Sequence, residues 1–375
     1  MIMQHTYLYD DDKSQTILEK VVYFLFVIRG PAAGMDVNHT VDPSGVTPAI
    51  ALIERQVLAV VLGIIVVTGL VGNSVVILAV ILSKKLRRCI TNSFVLSLSV
   101  SDLAACLSMP WTIVSFLYPG NDWPLPDSLC TLGGFGLIMS VGCSIFTLSS
   151  IALNRLHLLT MPRHIYRRIY THIQTAFMIL LTWLVSIFVA SVPLFSDLGR
   201  LGYSARHASC TRDSSHPLAG ALNMFIALVF YPVPCLIIII SYARIYNFLR
   251  RHTRIIAVEH DASQRNRAWV RGQRGQLKGQ VSHRQLVVTW NMFYVVCVFC
   301  SLVTPYGVAL LIPNNGRALP YTAVVLSINS CINPFIYATK HPDFKRVMLC
   351  ILSCRCDKIP GRIRRHRAQV YPLNL

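Results

Sequence analysis

Between Cys130 and Arg155 the chain runs 25 positions without a charged side chain, through LGGFGLIMSVGCSIFTLSSIAL to Asn154. At about 1.5 Å per helical residue this stretch crosses the roughly 30 Å hydrocarbon core of a bilayer with some to spare. Lipid offers the backbone no hydrogen bonds, so a single stretch of this kind has to be helical. One end, a cysteine, can be pinned on one side of a membrane while the other, an arginine, acts on the opposite side.

Six further apolar runs accompany it, which places the chain among all-α membrane proteins built as a seven-helix bundle. They are Val57 to Leu82, Ser93 to Tyr118, Ile173 to Phe195, Leu218 to Ala243, Leu286 to Ile312 and Leu319 to Thr339, with the third run ending at Leu153. Only 14% of residues are charged, well below the roughly 25% of soluble domains. With the N-terminus outside, 27 of the 35 Lys and Arg fall on the inner side, as orientation by positive charge requires. The net charge of +19 is therefore read as bilayer anchoring and attraction to anionic inner-leaflet lipid. It does not indicate a nucleic-acid partner.

Of the twelve cysteines, only Cys130 and Cys210 fall at or beyond the outer face. They are the expected disulfide, tying the loop Ser196 to Pro217 to the third helix in an oxidising compartment. The first fifty residues hold an apolar octet, Val21 to Ile28, that is too short to span and lacks a basic lead. A poorly ordered tail, or an extension upstream of a second start at Met35, is expected there, with a glycosylation sequon at Asn38.

Asp102 is the only acidic residue inside any of the seven runs. An ionised carboxylate at mid-membrane costs roughly 2.5 to 3.5 kcal/mol on the lenient insertion scale, so it needs partners or a wet cavity. Hydrogen bonding to neighbouring helices and a cation or proton site both answer that need. Pro193, Pro232, Pro234, Pro305 and Pro334 interrupt the later runs, where each removes a helical hydrogen bond and favours a kink.

The ordered set Gly72-Asn73, LSVSD ending at Asp102, Cys130, Asn154-Arg155-Leu156, Trp183, Cys210, Pro234 with Tyr242, Phe299 with Pro305, and Asn333-Pro334-Phe335-Ile336-Tyr337 resembles the rhodopsin-like (class A) G-protein-coupled receptors. The likeness covers residues 55 to 356. The neighbourhood of the Asn-Arg motif looks like the melatonin-receptor-like orphan branch that includes the moody and trapped-in-endoderm receptors. The resemblance implies that Arg155 meets a heterotrimeric G protein when the sixth helix swings out, with Tyr242 and Tyr337 stabilising the opened state. It also implies a sodium pocket at Asp102 with Asn73, Ser144, Asn329 and Asn333, with sodium a modulator and not a catalytic cofactor. Phe299 and Pro305 would form the hinge of the sixth helix, and arrestin would be a second partner.

Several positions depart from the family pattern. Asn154 replaces the acid before the arginine, Leu156 replaces the tyrosine after it, and Gln285 replaces a glutamate that could restrain Arg155. A weakly held resting state with raised basal signalling is expected. Val303 stands two residues before Pro305, where the family usually carries a tryptophan, so a ligand must act on the sixth helix through other groups such as Phe299 or Tyr306. Leu137 replaces the aspartate of amine receptors and Ser327 the retinal lysine of opsins, which disfavours both chemistries. Candidate pocket residues are Leu137, Ile138, Val141, Phe225 and Tyr306, below a loop bearing Arg200, Arg206, His207 and Arg212. They suit a lipid-like molecule with an acidic head, with a peptide as the alternative ligand.

Beyond the seventh run, Phe344, Val347, Met348, Ile351 and Leu352 recur at helical spacing, as in a helix lying on the inner leaflet. Cys350, Cys354 and Cys356 at its end are palmitoylation candidates. The expected organisation is an extracellular tail over 1–54, the receptor bundle over 55–339, the amphipathic segment over 340–356 and a basic cytoplasmic tail over 357–375. The chain would be a multi-pass protein of the plasma membrane. No HExxH helix, second membrane carboxylate or nucleophile turn is present, so no enzyme is expected; a transporter using Asp102, or a receptor signalling mainly through arrestin, is the alternative.

Overall fold

The computed structural model describes residues 50–118, 123–265, 283–312 and 317–359, with side chains outside 252–292, Lys340, Pro342 and Cys356. These belong to one compact unit, Val46–Leu375. Among the described residues, seven helical segments are long and apolar enough to cross a membrane: Leu52–Leu82, Thr91–Leu117, Asp127–Thr160, His172–Phe195, Ala219–Arg251, Phe293–Leu311 and Ala318–Thr339. They are called the first to seventh spans below. Their cores coincide with the seven apolar runs. Several continue further, because helix needs no apolar side chains once it has left the lipid; the fifth runs on to Arg265.

The third span is the hub. About 67% of its most apolar window is buried, against 28% for the fourth and fifth. The fourth turns Phe177, Phe188 and Leu184 outward instead, as a lipid-facing helix should. It starts at Thr171, whose Oγ1 accepts from the Gln174 N–H at 3.2 Å, a cap that satisfies one of the unpaired first-turn donors. Trp183 reaches inward and donates to Ser97 Oγ at 3.0 Å, fastening this outer helix to the second span.

Two helix breaks sit where the sequence removes a donor, while the seventh span divides at Ile328 without one. The second span divides at Met109 before Pro110, and the fifth at Tyr231 before Pro232. In the seventh, Pro334 cannot donate to the Ser330 carbonyl four residues earlier. Asn73 Nδ2 of the first span fills the vacancy, donating to that carbonyl at 2.7 Å and to the Gly69 carbonyl at 3.0 Å. Gly72 lets the proline ring approach, since a Cβ there would lie 2.9 Å from Pro334 Cβ and Cγ. Two motifs 261 positions apart, Gly72-Asn73 and Asn333-Pro334, thus form one joint.

A further helix, Pro342–Leu352, packs beneath the bundle. Phe344, Val347 and Met348 are buried, Ile351 is half-buried and Leu352 is exposed, while Lys345 and Arg346 face outward. Lys85 of the first inner loop holds it through Asp343 at 3.0 Å.

Asn73→Ala is expected to cost about 1 to 3 kcal/mol by stranding the Ser330 carbonyl. In a Pro334→Ala background, which restores a backbone N–H for that carbonyl, the same change should cost less. Thermal unfolding of the four purified variants measures this coupling; equal costs in both backgrounds would refute the shared joint.

Candidate functional site

The outer mouth of the bundle is partly covered by an antiparallel hairpin, β1 (Leu201–Ser204) and β2 (Ser209–Arg212), with Tyr203 opposite Cys210 and Leu201 opposite Arg212. This hairpin adds strand to a chain otherwise read as helical. The expected Cys130–Cys210 disulfide is formed, with the Cα atoms 4.9 Å apart. The strand lies so close to the third span that any Cβ on Gly134 would collide with the Thr211 carbonyl. On the other side Ser115 Oγ donates to the Ala208 carbonyl at 2.7 Å. Arg55, only 2% exposed, donates to the Ser115 and Tyr118 carbonyls that end the second span. A cation at the negative end of a helix is favourable, and the helix and hairpin are held together by the same few groups.

Beneath the hairpin is a cavity with about 1090 Å³ of empty space, its open mouth included. Leu137, Ile138, Val141 and Tyr306 line it as expected, and so does Ser327. Phe225 does not: it is half-buried against the core, and the fifth span presents Ile226 and Phe230 instead. One residue along a helix rotates a side chain by about 100°, so the neighbour takes the place. The sixth span contributes only Phe299 and Tyr306 to the wall; Val303 is buried in the core cluster.

The four basic residues of the outer loop separate into two pairs. Arg200 and Arg206 are exposed, whereas His207 and Arg212 line the cavity. Arg212 is 7% exposed and donates to Tyr306 Oη at 2.7 Å, its guanidinium carbon 5.8 Å from the centre of the tyrosine ring. His207 Nδ1 lies 3.0 Å from Ser204 Oγ. Burial, with Arg212 and Arg206 nearby, pushes the His207 imidazole down to about 4. It is neutral at physiological pH. Among the described residues no carboxylate lines this cavity.

The cavity floor is polar. Ser144 and Asn329 belong to it, and just below lies Asp102, 1% exposed. Asn333 Nδ2 donates to Asp102 Oδ2 at 2.9 Å, Ser144 Oγ to Oδ1 at 3.4 Å, and Ser101 Oγ lies 3.0 Å from Ser144 Oγ. Asn73 is turned to the Ser330 carbonyl rather than to Asp102. The side-chain oxygens of Asn73, Asn329 and Asn333 are buried without a donor. Orphaned oxygens around a buried carboxylate fit a hard cation, which oxygen ligands favour. No cluster of three His, Cys, Asp or Glu that would suit a transition metal occurs among the described residues.

At the end of the third span opposite the hairpin, Arg155 is 3% exposed, its Nε has no partner, and no carboxylate pairs with it among the described residues. Asn154 is fully buried and faces elsewhere. Its Oδ1 accepts from Thr91 Oγ1 at 3.0 Å and its Nδ2 donates to Tyr166 Oη at 3.1 Å. Tyr166 stacks on Tyr170 with ring centres 4.9 Å apart, and Tyr170 Oη lies 3.0 Å from His157 Nδ1. The short basic helix Arg163–Ile169 is thereby clamped to the third span. Leu156 packs with Leu159 and Ile245. The hydroxyls of Tyr242 and Tyr337 are buried and unpartnered, with Tyr337 against Phe344 at 5.5 Å and Phe299 1% exposed above them. Cys350 is half-buried and Cys354 exposed. The Asn38 sequon, Met35, the octet Val21–Ile28 and the side chains of Gln285 and Cys356 lie outside the described residues.

A disulfide-pinned outer lid, a cavity, a polar floor and a buried arginine at the inner face, stacked along one helix, are the parts of a receptor that passes a signal through a membrane. The family model described as 7 transmembrane receptor (rhodopsin family) matches residues 72–337, and the chain belongs to that family of G-protein-coupled receptors. It is a multi-pass plasma-membrane receptor and not an enzyme. Among its relatives, melatonin receptor type 1C of Gallus gallus is 30% identical over 80% of this chain and 83% of that protein. Protein trapped in endoderm-1 of Drosophila melanogaster is 26% identical over 81% and 79%. The crystal structure of squid rhodopsin superposes with a TM-score of 0.68 at 20% identity, covering 89% of this chain and 98% of that one.

The partners of Asn154 and Arg212 escaped the sequence, since Thr91, Tyr166 and Tyr306 lie in other elements and follow no shared periodicity. Acidification supplies a test of the cavity wall. His207 is held low when folded, so between about pH 6.5 and 4 the unfolded chain takes up a proton that the folded one refuses, and stability falls with pH. His207→Gln should flatten the decline of the melting temperature across that window; an unchanged slope would show that His207 is not buried as described.

Proposed function

We propose that an extracellular ligand in the outer cavity drives nucleotide exchange on a heterotrimeric G protein bound at the Arg155 face, and that the unliganded receptor already signals. The carrying observation is Arg155: buried at the inner end of the hub, unpaired by any described carboxylate, beside an Asn154 engaged with Thr91 and Tyr166. Without an ion pair to break, the opened state lies close in energy to the resting one. Agonist and G protein favour the same opened state and so reinforce each other. The excess of Lys and Arg on the inner segments supports an extracellular N-terminus. Arrestin would use the same opened face, and the exposed thiol of Cys354, with Cys350 and Cys356, would carry palmitate at the leaflet.

Relatives bear the names of melatonin and, at 26% identity, of 5-hydroxytryptamine. A cationic amine would find no carboxylate in this cavity wall among the described residues, whereas Arg212 is present there without an acid. A ligand with an apolar body and an acidic head fits better than an amine, and the hairpin over the mouth fits it better than a peptide.

Asp102, Ser144, Asn329 and Asn333 would hold a sodium ion, whose charge offsets the buried carboxylate and favours the resting arrangement. Raising sodium at constant ionic strength, with N-methylglucamine as replacement, should lower ligand-free exchange and raise the melting temperature. Asp102→Asn should abolish both responses; a variant that keeps them would exclude this pocket.

The coupling itself is tested by exchange on a panel of Gα subunits in membranes holding the full chain without ligand. Exchange above empty membranes is expected, lost in Arg155→Ala and reduced severalfold in Asn154→Asp, where a restraining acid returns. A wild type as silent as Arg155→Ala would remove the basal activity from this proposal. Uptake that needs Asp102 but not Arg155 would point to a transporter instead.

A further inference from the structure

We infer that Arg212 and Tyr306 form a latch between the outer hairpin and the sixth helix, opened when the ligand's anion takes the arginine. The inference rests on the acid-headed ligand for its trigger, but the latch itself stands on geometry that needs no ligand.

One half of the latch cannot move. Arg212 lies two residues beyond Cys210 on β2, so it shares the face that the disulfide turns toward the third span. The disulfide and the close approach at Gly134 fix the strand against the hub. The other half is free to move. Tyr306 directly follows Pro305, which cannot donate to the Ser301 carbonyl, so the sixth helix is weakest just below the tyrosine. Two hydroxyl contacts hold the helix near this point. Thr304 Oγ1 lies 3.0 Å from Tyr231 Oη on the exposed side, and Tyr306 Oη accepts from Arg212 at 2.7 Å on the cavity side. Only the second is within a ligand's reach.

The sixth span offers the cavity only Phe299 and Tyr306. They are seven positions apart, two helical turns, and so lie on one face. Val303, between them, is too small to serve as an aromatic lever and is buried in the core cluster. A ligand can therefore act on this helix through Tyr306 near the hinge, or through Phe299 deep in the core. Tyr306 is the one with a polar contact to give up. A carboxylate accepts two hydrogen bonds from a guanidinium and carries the opposite charge, whereas the phenol accepts one and is uncharged, so an anion at Arg212 outcompetes the hydroxyl. Released, the outer segment is free to rotate about Pro305, which is the motion that the inner end must follow to expose Arg155.

The direct test is ligand-free exchange by the full receptor at matched surface amounts. Tyr306→Phe keeps the ring and removes only the acceptor. It should raise exchange on the order of tenfold, the equivalent of one hydrogen bond to a charged group. Arg212→Ala should raise it similarly, and the double variant no further. Wild-type exchange in Tyr306→Phe, or multiplying effects in the double variant, would overturn the latch. A double-mutant cycle on thermal unfolding of the purified receptor gives a readout independent of any G protein. Non-additive losses together with raised exchange support the latch, and additive losses refute it.

Dodecanoate, with its methyl ester as the uncharged control, separates the latch from its trigger. The acid should stimulate the wild type. In Tyr306→Phe it should bind severalfold more tightly yet stimulate little, because the latch is already open. If acid and ester act alike, or neither acts, while Tyr306→Phe still raises exchange, the acid-headed ligand falls and the latch survives.

Discussion

A backbone carbonyl without a donor is expensive inside lipid, and that constraint decides how this bundle is joined. Pro334 creates such a carbonyl at Ser330, and Asn73 satisfies it from another helix. The joint ties the first span to the seventh at the depth where Asn333 meets Asp102. The same rule operates at the outer surface, where Arg55 closes the carbonyls that end the second span. The interruption at Pro334 is therefore a connection, and it fixes the seventh span beside Asp102.

The third span organises what remains, because it touches every layer. Cys130 pins the lid, Leu137, Ile138 and Val141 face the cavity, Ser144 reaches Asp102, and Asn154 and Arg155 form the inner end. Its small residues are what permit this. Gly134 admits the hairpin strand, and a Cβ at Gly142 would collide with the ring of Phe230. A helix this closely approached has little room to move.

Much of this was legible in the residues. The seven spans, the disulfide and the isolation of Asp102 follow from the cost of water-loving groups in lipid, which is a one-dimensional property of the chain. Where polar side chains point is not. Four basic residues were visible in the outer loop, but only the register of β1 and β2 turns Arg212 and His207 inward and leaves Arg200 and Arg206 in solvent. Arg55 is buried because carbonyls in another span need it, a partnership that no periodicity reveals. Asn154 was legible as a missing acid. Its engagement with Thr91 and Tyr166 depended on folding of the inner loop, which periodicity does not reveal.

That engagement is made by neutral dipoles. An ion pair at the same place would weaken as salt screens its charges and would shift with any nearby change in protonation. An amide bonded to a threonine and a tyrosine has no counterion cloud to lose. The bonds that tie Arg163–Ile169 to Asn154 thus keep their strength as the ionic composition around them varies, while the arginines of that helix remain open to screening.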